Sequence, residues 1–353
     1  RERAVNGGRR PGRAGRRPNP GSRRRLALTM AFVAVSVLAR GAEPPVPEEW
    51  PATVIADDLR GPLRLAVSPP GQTLFVLRGP EGDVLGIDLG DTTRRWTAIG
   101  SRPEHQPLAI GAIDSGTLAV VVREGDAYSI RVHKLPAPGM PPGDSEIQAV
   151  PLGVTGGKPE EVRIVVSPAR DWLAVVGLPE PLPRVARATI NGARLGGISE
   201  RRCPRTSLRP AAVTAGPNAE WILFGPGDDG AARPAFLSWF SPTGAQRLMW
   251  LDTGLEAVVD AANCRETSLL WTLATGDAAA GRQTGLWRVD AVLEDGRQTA
   301  RAVPVAALAA PSAVVCLPKG EVAVAHGAMP ARILRLAPPG ASDRPATKED
   351  DAP

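Results

Sequence analysis

The sequence has few of the residue types that carry most enzymatic chemistry. Its 353 residues include three histidines, three cysteines and one tyrosine. No two of the histidines, His105, His133 and His326, stand at a metal-binding spacing. We find no Gly-x-Ser-x-Gly elbow, phosphate-binding glycine loop or Cys-x-x-Cys-His motif. The sequence therefore gives no residue a catalytic, cofactor-binding or metal-binding role.

The apolar run near the N-terminus is too short for an ordinary membrane span. Leu26–Leu38 is uncharged and follows residues 1–25, which hold ten arginines and one glutamate and are predicted to be disordered. Small residues follow up to Ala42. A basic region, an apolar core and small residues predict a signal peptide over 26–42, cleaved after Gly41 or Ala42. An uncleaved anchor is the alternative; after cleavage no stable span is expected.

The leader predicts export to the periplasm or the exterior, by either of two routes. The segment Ser22-Arg23-Arg24-Arg25-Leu26 resembles a twin-arginine signal, and Arg40 suits that route, but a leader rich in arginine also produces such pairs by chance. The general secretory route stays open. The sequence begins with Arg1, and its true N-terminus is left open.

The charge of the chain lies mostly in this leader. The net charge is +5 overall and +10 through Gly41, which leaves −5 for the remainder. An acidic exported domain is not the electrostatic footprint of a nucleic-acid binder. We therefore expect no nucleic-acid partner.

What the sequence does contain is a repeat, clearest over Leu65–Leu89. Its apolar tracts are too short for helices and are separated by turn residues, including Ser68-Pro69-Pro70-Gly71. The Ser68 hydroxyl can bond the local backbone, and Gly71 can take positive φ. The predicted strands of this four-stranded meander are Leu63–Val67, Thr73–Leu77, Val84–Leu89 and Arg94–Ile99.

The same pattern can be placed on five later segments. We align the second strand of each on one apolar residue, and the intervals of 44 to 55 residues suit four-stranded blades. The six anchors are Leu74, Leu118, Leu173, Ile222, Leu269 and Val322.

The last repeat has only three strand candidates: Ser312–Cys316, Glu321–Ala325 and Arg332–Leu336. One strand, Ala52–Ala56, is left over ahead of the first repeat. If it completes the last blade, the ring closes and no sheet edge stays exposed. The prediction is an all-β, closed six-bladed β-propeller of four-stranded antiparallel blades over 50–336, with seven blades as the alternative, followed by a disordered tail over 337–353.

The segment VSPPGQTLFVLRG followed by VLGIDL resembles the SPDG and YVTN-type repeats of TolB-like and lactonase-like β-propellers. VSPARDWLAVVG is a poorer copy, in which Ala169-Arg170-Asp171 lacks the glycine. The resemblance implies a propeller fold and not one particular activity.

The cysteines leave two interpretations. Cys264 and Cys316 fall at the ends of first strands in neighbouring repeats, and export would permit a disulfide between them. Equivalent positions in adjacent blades are often too far apart, so two buried free thiols are favoured. Cys203 has no partner.

Three further features have a structural and a functional interpretation. Trp172, Trp221 and Trp271 are predicted to fill the layers between blades, in preference to stacking on sugars. The segment Gly225–Gly230 reads as a hairpin loop in preference to a calcium loop. The arginine-rich Ser199–Arg205 reads as a solvated loop, with an acidic partner as the alternative.

Three functions are consistent with this pattern. The first is a binding or scaffold module for a protein or glycan in the cell envelope or exterior. The alternative is a lactonase-like or gluconolactonase-like hydrolase of a small sugar acid, with or without a divalent cation. The third is a degenerate propeller used as a spacer. Carboxylates and amides converging on the central channel would favour the enzyme.

Overall fold

The structure, a computed structural model, describes the repeat region with gaps. It covers residues 50–79, 81–137, 140, 145–155, 162–178, 184–202, 211–216, 221–225, 236–240, 246–255, 257–276, 283–294 and 297–338. The predicted leader and signal peptide lie outside the described residues, and so does the tail beyond residue 338. Within the described part of the chain, no helix combines the length and apolarity that a membrane span requires.

The fold is an all-β propeller of four-stranded antiparallel blades. Strand β1 (Ala52–Leu59) comes first, and the next twenty strands form five blades of four consecutive strands. Blade one contains β2 (Leu63–Val67), β3 (Thr73–Arg78), β4 (Asp83–Asp88) and β5 (Arg95–Ile99); blade two contains β6 (Gln106–Asp114), β7 (Thr117–Glu124), β8 (Ala127–Lys134) and β9 (Glu146–Thr155); blade three contains β10 (Arg163–Val166), β11 (Trp172–Val176), β12 (Arg184–Asn191) and β13 (Arg194–Arg202); blade four contains β14 (Ala212–Ala215), β15 (Trp221–Gly225), β16 (Phe236–Phe240) and β17 (Gln246–Asp252); blade five contains β18 (Ala257–Cys264), β19 (Leu269–Thr275), β20 (Gly285–Glu294) and β21 (Arg297–Ala307).

The remaining sheet, called the composite sheet below, joins the two ends of the described chain. It contains β22 (Pro311–Cys316), β23 (Val322–His326) and β24 (Ala331–Leu336), and β1 pairs antiparallel with β24. The predicted union of the Ala52–Ala56 strand with the last repeat is therefore confirmed. Blades of consecutive strands number five, fewer than the six repeats in the sequence, because the last repeat supplies three strands only. The six sheets use every described strand, so these residues contain no seventh sheet.

The second strands contain long buried tracts. All five side chains of β11 are buried, as expected for a strand with other sheets on both faces. The six anchor residues predicted from the sequence all lie in second strands, namely β3, β7, β11, β15, β19 and β23. The alignment on these residues placed the repeats correctly because burial on both faces demands an uninterrupted apolar tract.

Among the described residues, the core forms six apolar clusters, each between two neighbouring sheets. One cluster joins blades one and two, and another joins the composite sheet to blade one. The other four follow in chain order around to the composite sheet. Trp172 and Trp271 are fully buried within these layers, which confirms their predicted packing role. The side chain of Trp221 lies outside the described residues.

The turns between the first and second strands of blades one and three share one conformation despite their different sequences. The Thr73 amide donates to Ser68 Oγ over 2.9 Å, and Gly71 has φ of +70°. In blade three the Trp172 amide donates to Ser167 Oγ over 3.2 Å, and Arg170 has φ of +57°. The missing glycine of the poorer copy therefore does not change the turn, since Arg170 adopts the left-handed conformation itself.

Candidate functional site

The first strands of all six sheets surround one cavity of about 470 Å³, called the axial cavity below. Most of its wall is aliphatic, as at Val67, Ile110, Val166, Val213 and Val315. Cavities of this size accept small organic molecules, and an aliphatic wall with few polar groups is typical of such sites.

The rim of the axial cavity is formed by the turns that follow the first strands. The turns beginning at Ser68 and Ser167 contribute Gly71 and Arg170, and blade five contributes Arg265 and Glu266. Glu266 is exposed, and its carboxylate accepts a hydrogen bond from the Lys319 amide over 2.6 Å. The rim is therefore charged, whereas the wall below it is largely apolar.

Asp260 is the acidic group in the wall of the axial cavity. It lies in β18, where the pairing with β19 shifts by one residue between Val258 and Asp260. A bulge of this kind changes the direction of a side chain. The Asp260 side chain is 15% exposed, and its Oδ2 accepts a hydrogen bond of 2.9 Å from the Val314 amide in the composite sheet.

Two arginines lie close to this carboxylate. Arg163 Nε is 3.8 Å from Asp260 Oδ1, and the same guanidinium donates to the carbonyls of Val162 and Val259. Arg64 donates to the Ser312 carbonyl over 3.3 Å and also acts electrostatically on Asp260. The guanidinium of Arg163 thus connects blades three and five, which places a cation beside a buried acid.

Burial controls the acidity of Asp260. Desolvation raises the pKa of its carboxyl above the ordinary value of 3.8, because the charged form is poorly solvated here. Arg163, the Val314 amide and Arg64 act in the opposite direction but do not cancel this effect. A carboxyl group whose pKa is raised inside a cavity is suited to accepting and returning a proton.

Other acids and amides of the axial cavity do not converge on Asp260. Asn263 and Glu266 also line it, but all three belong to blade five or to the turn after β18. The Asn263 amide donates to the Ala215 carbonyl over 3.0 Å, which ties blade five to blade four. Three such groups are present, but they do not face one another from opposite sides of the channel. Within the described residues, no group of three His, Cys, Asp or Glu side chains could hold a metal ion.

None of the three histidines lines the axial cavity. His105 lies in a loop, with Nε2 3.3 Å from Glu124 Oε1. His133 lies in the third strand of blade two and is buried. His326 ends β23, and burial lowers the pKa of its imidazole.

The predicted preference for free thiols at Cys264 and Cys316 is wrong, because these residues form a disulfide with a Cα–Cα separation of 5.3 Å. First strands of neighbouring sheets converge toward the axis, so equivalent positions approach each other more closely here than at the periphery. Both cysteines line the axial cavity. The bond therefore fixes part of the cavity wall.

The Gly225–Gly230 hypothesis concerns a segment of which residues 226–230 lie outside the described residues. The loop predicted over Ser199–Arg205 is wrong for its first four residues, because Ser199–Arg202 belong to β13, and Cys203 and the rest of this segment lie outside the described part of the chain. Asp260 was missed by the sequence reasoning. Its signal was an acid inside an apolar first strand, AVVDAANC, where no charge is expected.

Comparison with known proteins gives structural but not sequence relatives. No family model and no curated protein sequence matches the chain. An aldose sugar dehydrogenase from Streptomyces coelicolor, in its PQQ-bound form, is 13% identical with a TM-score of 0.54, covering 83% of this chain and 99% of its own. A gluconolactonase from Xanthomonas campestris is 14% identical with a TM-score of 0.53, and the match covers 85% of this chain and 99% of the gluconolactonase. A Trichoderma reesei protein from a carbohydrate-active enzyme family is 14% identical with a TM-score of 0.55, covering 84% and 98%.

At these identities the likeness establishes the fold alone. The chain therefore shares the β-propeller fold of these proteins, in agreement with its four-stranded blades around the axial cavity. The YVTN-type label stays a prediction.

Proposed function

We propose that this protein is a lactonase-like hydrolase that opens a small sugar lactone in the axial cavity. The observation that carries the proposal is the buried Asp260 carboxyl in the cavity wall, with the Arg163 guanidinium 3.8 Å away. The gluconolactonase and the sugar dehydrogenase among the structural neighbours support this alternative over a scaffold role.

The reaction would use the two side chains in distinct ways. Asp260 accepts a proton from a water molecule as that water attacks the lactone carbonyl, and it returns the proton to the ring oxygen when the C–O bond breaks. A guanidinium near the carbonyl stabilises the negative charge that develops on its oxygen. The product is the open hydroxy acid, and the atoms balance without a further reactant.

The test is hydrolysis of glucono-delta-lactone by the purified chain, with the spontaneous rate subtracted. We expect Asp260→Asn to lower kcat by about 10²- to 10⁴-fold, the usual contribution of a general base. Asp114→Asn is the control, since Asp114 caps a turn outside the cavity by accepting from the Gly116 amide. Binding of the lactone without turnover, or full activity of Asp260→Asn, would contradict the proposal and favour a binding module.

The pH profile gives a second readout. A base acts only when it is ionised, so kcat/KM should rise with pH through the raised pKa of Asp260, above the ordinary value of 3.8. This rise of kcat/KM with pH should be absent from the residual activity of Asp260→Asn. A profile identical in the two proteins would assign the reaction to another group.

We further propose that the six sheets are the blades of one closed ring. The six interblade clusters and the pairing of β1 with β24 support closure. Export to the periplasm or exterior is part of the same proposal, and the Cys264–Cys316 disulfide supports an oxidising compartment. A fusion of residues 1–49 to a reporter that is active only after export tests this part; an inactive fusion would contradict it.

A further inference from the structure

A second cavity, called the seam groove below, lies between blade one and the composite sheet. Its volume is about 560 Å³, and blade one contributes Thr73, Asp88 and Trp96, while the composite sheet and its turn contribute Glu321 and Arg335. The groove and the axial cavity share Gly71, Leu317 and Pro318, which separate them. It is therefore a distinct space beside the axial cavity.

One wall of the seam groove is an indole held in a fixed position. Trp96 in β5 pairs directly with Gly86 in β4, and a Cβ atom at Gly86 would lie 2.4 Å from Trp96 Cε2. The ring therefore lies flat on the backbone of β4, where only glycine leaves room for it. Trp96 Nε1 is buried without a hydrogen-bond partner. An unpaired buried N–H costs about 1 to 3 kcal/mol, so an acceptor that reached it on binding would be stabilised.

The seam groove also carries charges that balance, contributed by both blade one and the composite sheet. Arg335 Nη2 donates to the Leu89 carbonyl over 2.9 Å, and Arg335 Nε lies 3.8 Å from Glu321 Oε2. Asp88 and Lys319 add one charge of each sign. With two acids and two cations, the groove has no net charge with which to select an ion. Its carboxylates and guanidinium can instead pair with hydroxyl groups.

We propose that the seam groove binds a neutral carbohydrate. A flat indole suits the C–H face of a sugar ring, and the surrounding carboxylates, guanidinium and Thr73 hydroxyl suit its hydroxyl groups. The volume falls within the range of small-molecule sites. This inference does not depend on the reaction proposed for the axial cavity, because the groove contains neither Asp260 nor Arg163.

The direct test follows the indole N–H of Trp96 by NMR on the full chain, with Trp96→Phe used to assign its signal among the eight tryptophans. Glucose, galactose, maltose and cellobiose are titrated in turn. We expect at least one of these sugars to shift the Trp96 signal in a saturable manner while the signal of the buried Trp271 stays in place. The absence of a saturable shift with all four sugars would overturn the proposal.

Calorimetry with the sugar that binds locates the site. Trp96→Phe keeps an aromatic ring over Gly86 but removes the N–H, and Glu321→Gln removes one charge; each should weaken binding about 3- to 30-fold, the size expected for a lost hydrogen bond. Trp287→Phe is the matched control, since Trp287 lines a smaller cavity of about 200 Å³ and also has an unpartnered Nε1. The assignment would be overturned if Trp287→Phe alone weakened sugar binding, or if neither seam-groove variant weakened it. Asp260→Asn should leave this affinity unchanged whether or not the lactone is hydrolysed.

Discussion

The two sides of the composite sheet are joined to their neighbours by different means. On the blade five side, a disulfide joins Cys264 to Cys316 and the Asp260 carboxylate binds the Val314 amide. On the blade one side no covalent bond exists among the described residues, and the contacts include the packing of β1 and the hydrogen bond from Arg335 to the Leu89 carbonyl. The second seam retains the groove of about 560 Å³. The composite sheet is thus joined covalently to one neighbour and retains a cavity beside the other.

The largest effect should come from breaking the covalent seam. The bond spans 52 residues, and the chain-entropy model gives about 4 kcal/mol for a loop of that length. We expect the Cys264→Ser, Cys316→Ser double variant to lose about this much free energy of unfolding in denaturant titrations. Cys203→Ser is the control, and its free energy of unfolding should still fall when reductant is added. Equal stability of the parent protein with and without reductant would contradict the assignment.

The noncovalent seam should depend on the buried face of β1. Ile55 is 3% exposed and packs in the cluster between the composite sheet and blade one. Truncation by Ile55→Ala should lower the free energy of unfolding by about 2 to 4 kcal/mol, as for other buried aliphatic residues. Its neighbour Val54 is 55% exposed, so Val54→Ala should change stability by less than about 0.5 kcal/mol. If the two variants unfold at the same denaturant concentration, β1 does not contribute to the cooperative fold.

A smaller effect is expected from the turns, one of which lies at the noncovalent seam. Gly71 has φ of +70°, and a Cβ atom there would lie 2.1 Å from Pro318 Cγ, so Gly71→Ala should destabilise by about 2 kcal/mol. Arg170 holds the same conformation without that neighbour. Arg170→Gly should relieve the left-handed strain and raise stability by up to about 1 kcal/mol. Thermal unfolding measures both changes, and a destabilising Arg170→Gly would show that the Arg170 side chain makes a contact of its own.

Much of the fold was predictable because it depends on local patterns. The boundaries of β2 agree with the predicted Leu63–Val67, and β22 begins one residue before the predicted Ser312. Short apolar tracts between turn residues suffice for this, since each second strand is buried on both faces. The strand β1 extends to Leu59, beyond the predicted end at Ala56, because the bulged pairing with β24 tolerates the acids Asp57 and Asp58 on its exposed positions.

The candidate site was less predictable because it is assembled from separate repeats. Asp260 and Arg163 are 97 residues apart in the sequence and meet only because the first strands surround one axis. The disulfide was misjudged for the same reason, since the distance between neighbouring first strands depends on how far each lies from the axis. Nothing in the sequence near Trp96 indicates that its ring borders a groove with Arg335.

The sequence by itself determined the strands, their turns and the return of the first strand to the last repeat, because alternation of apolar tracts and turn residues acts over a few residues. Only the tertiary structure decided which side chains share the axial cavity, which cysteines bond and which seam keeps a groove. All three depend on the distances between sheets, which are set by the packing of whole blades around the axis.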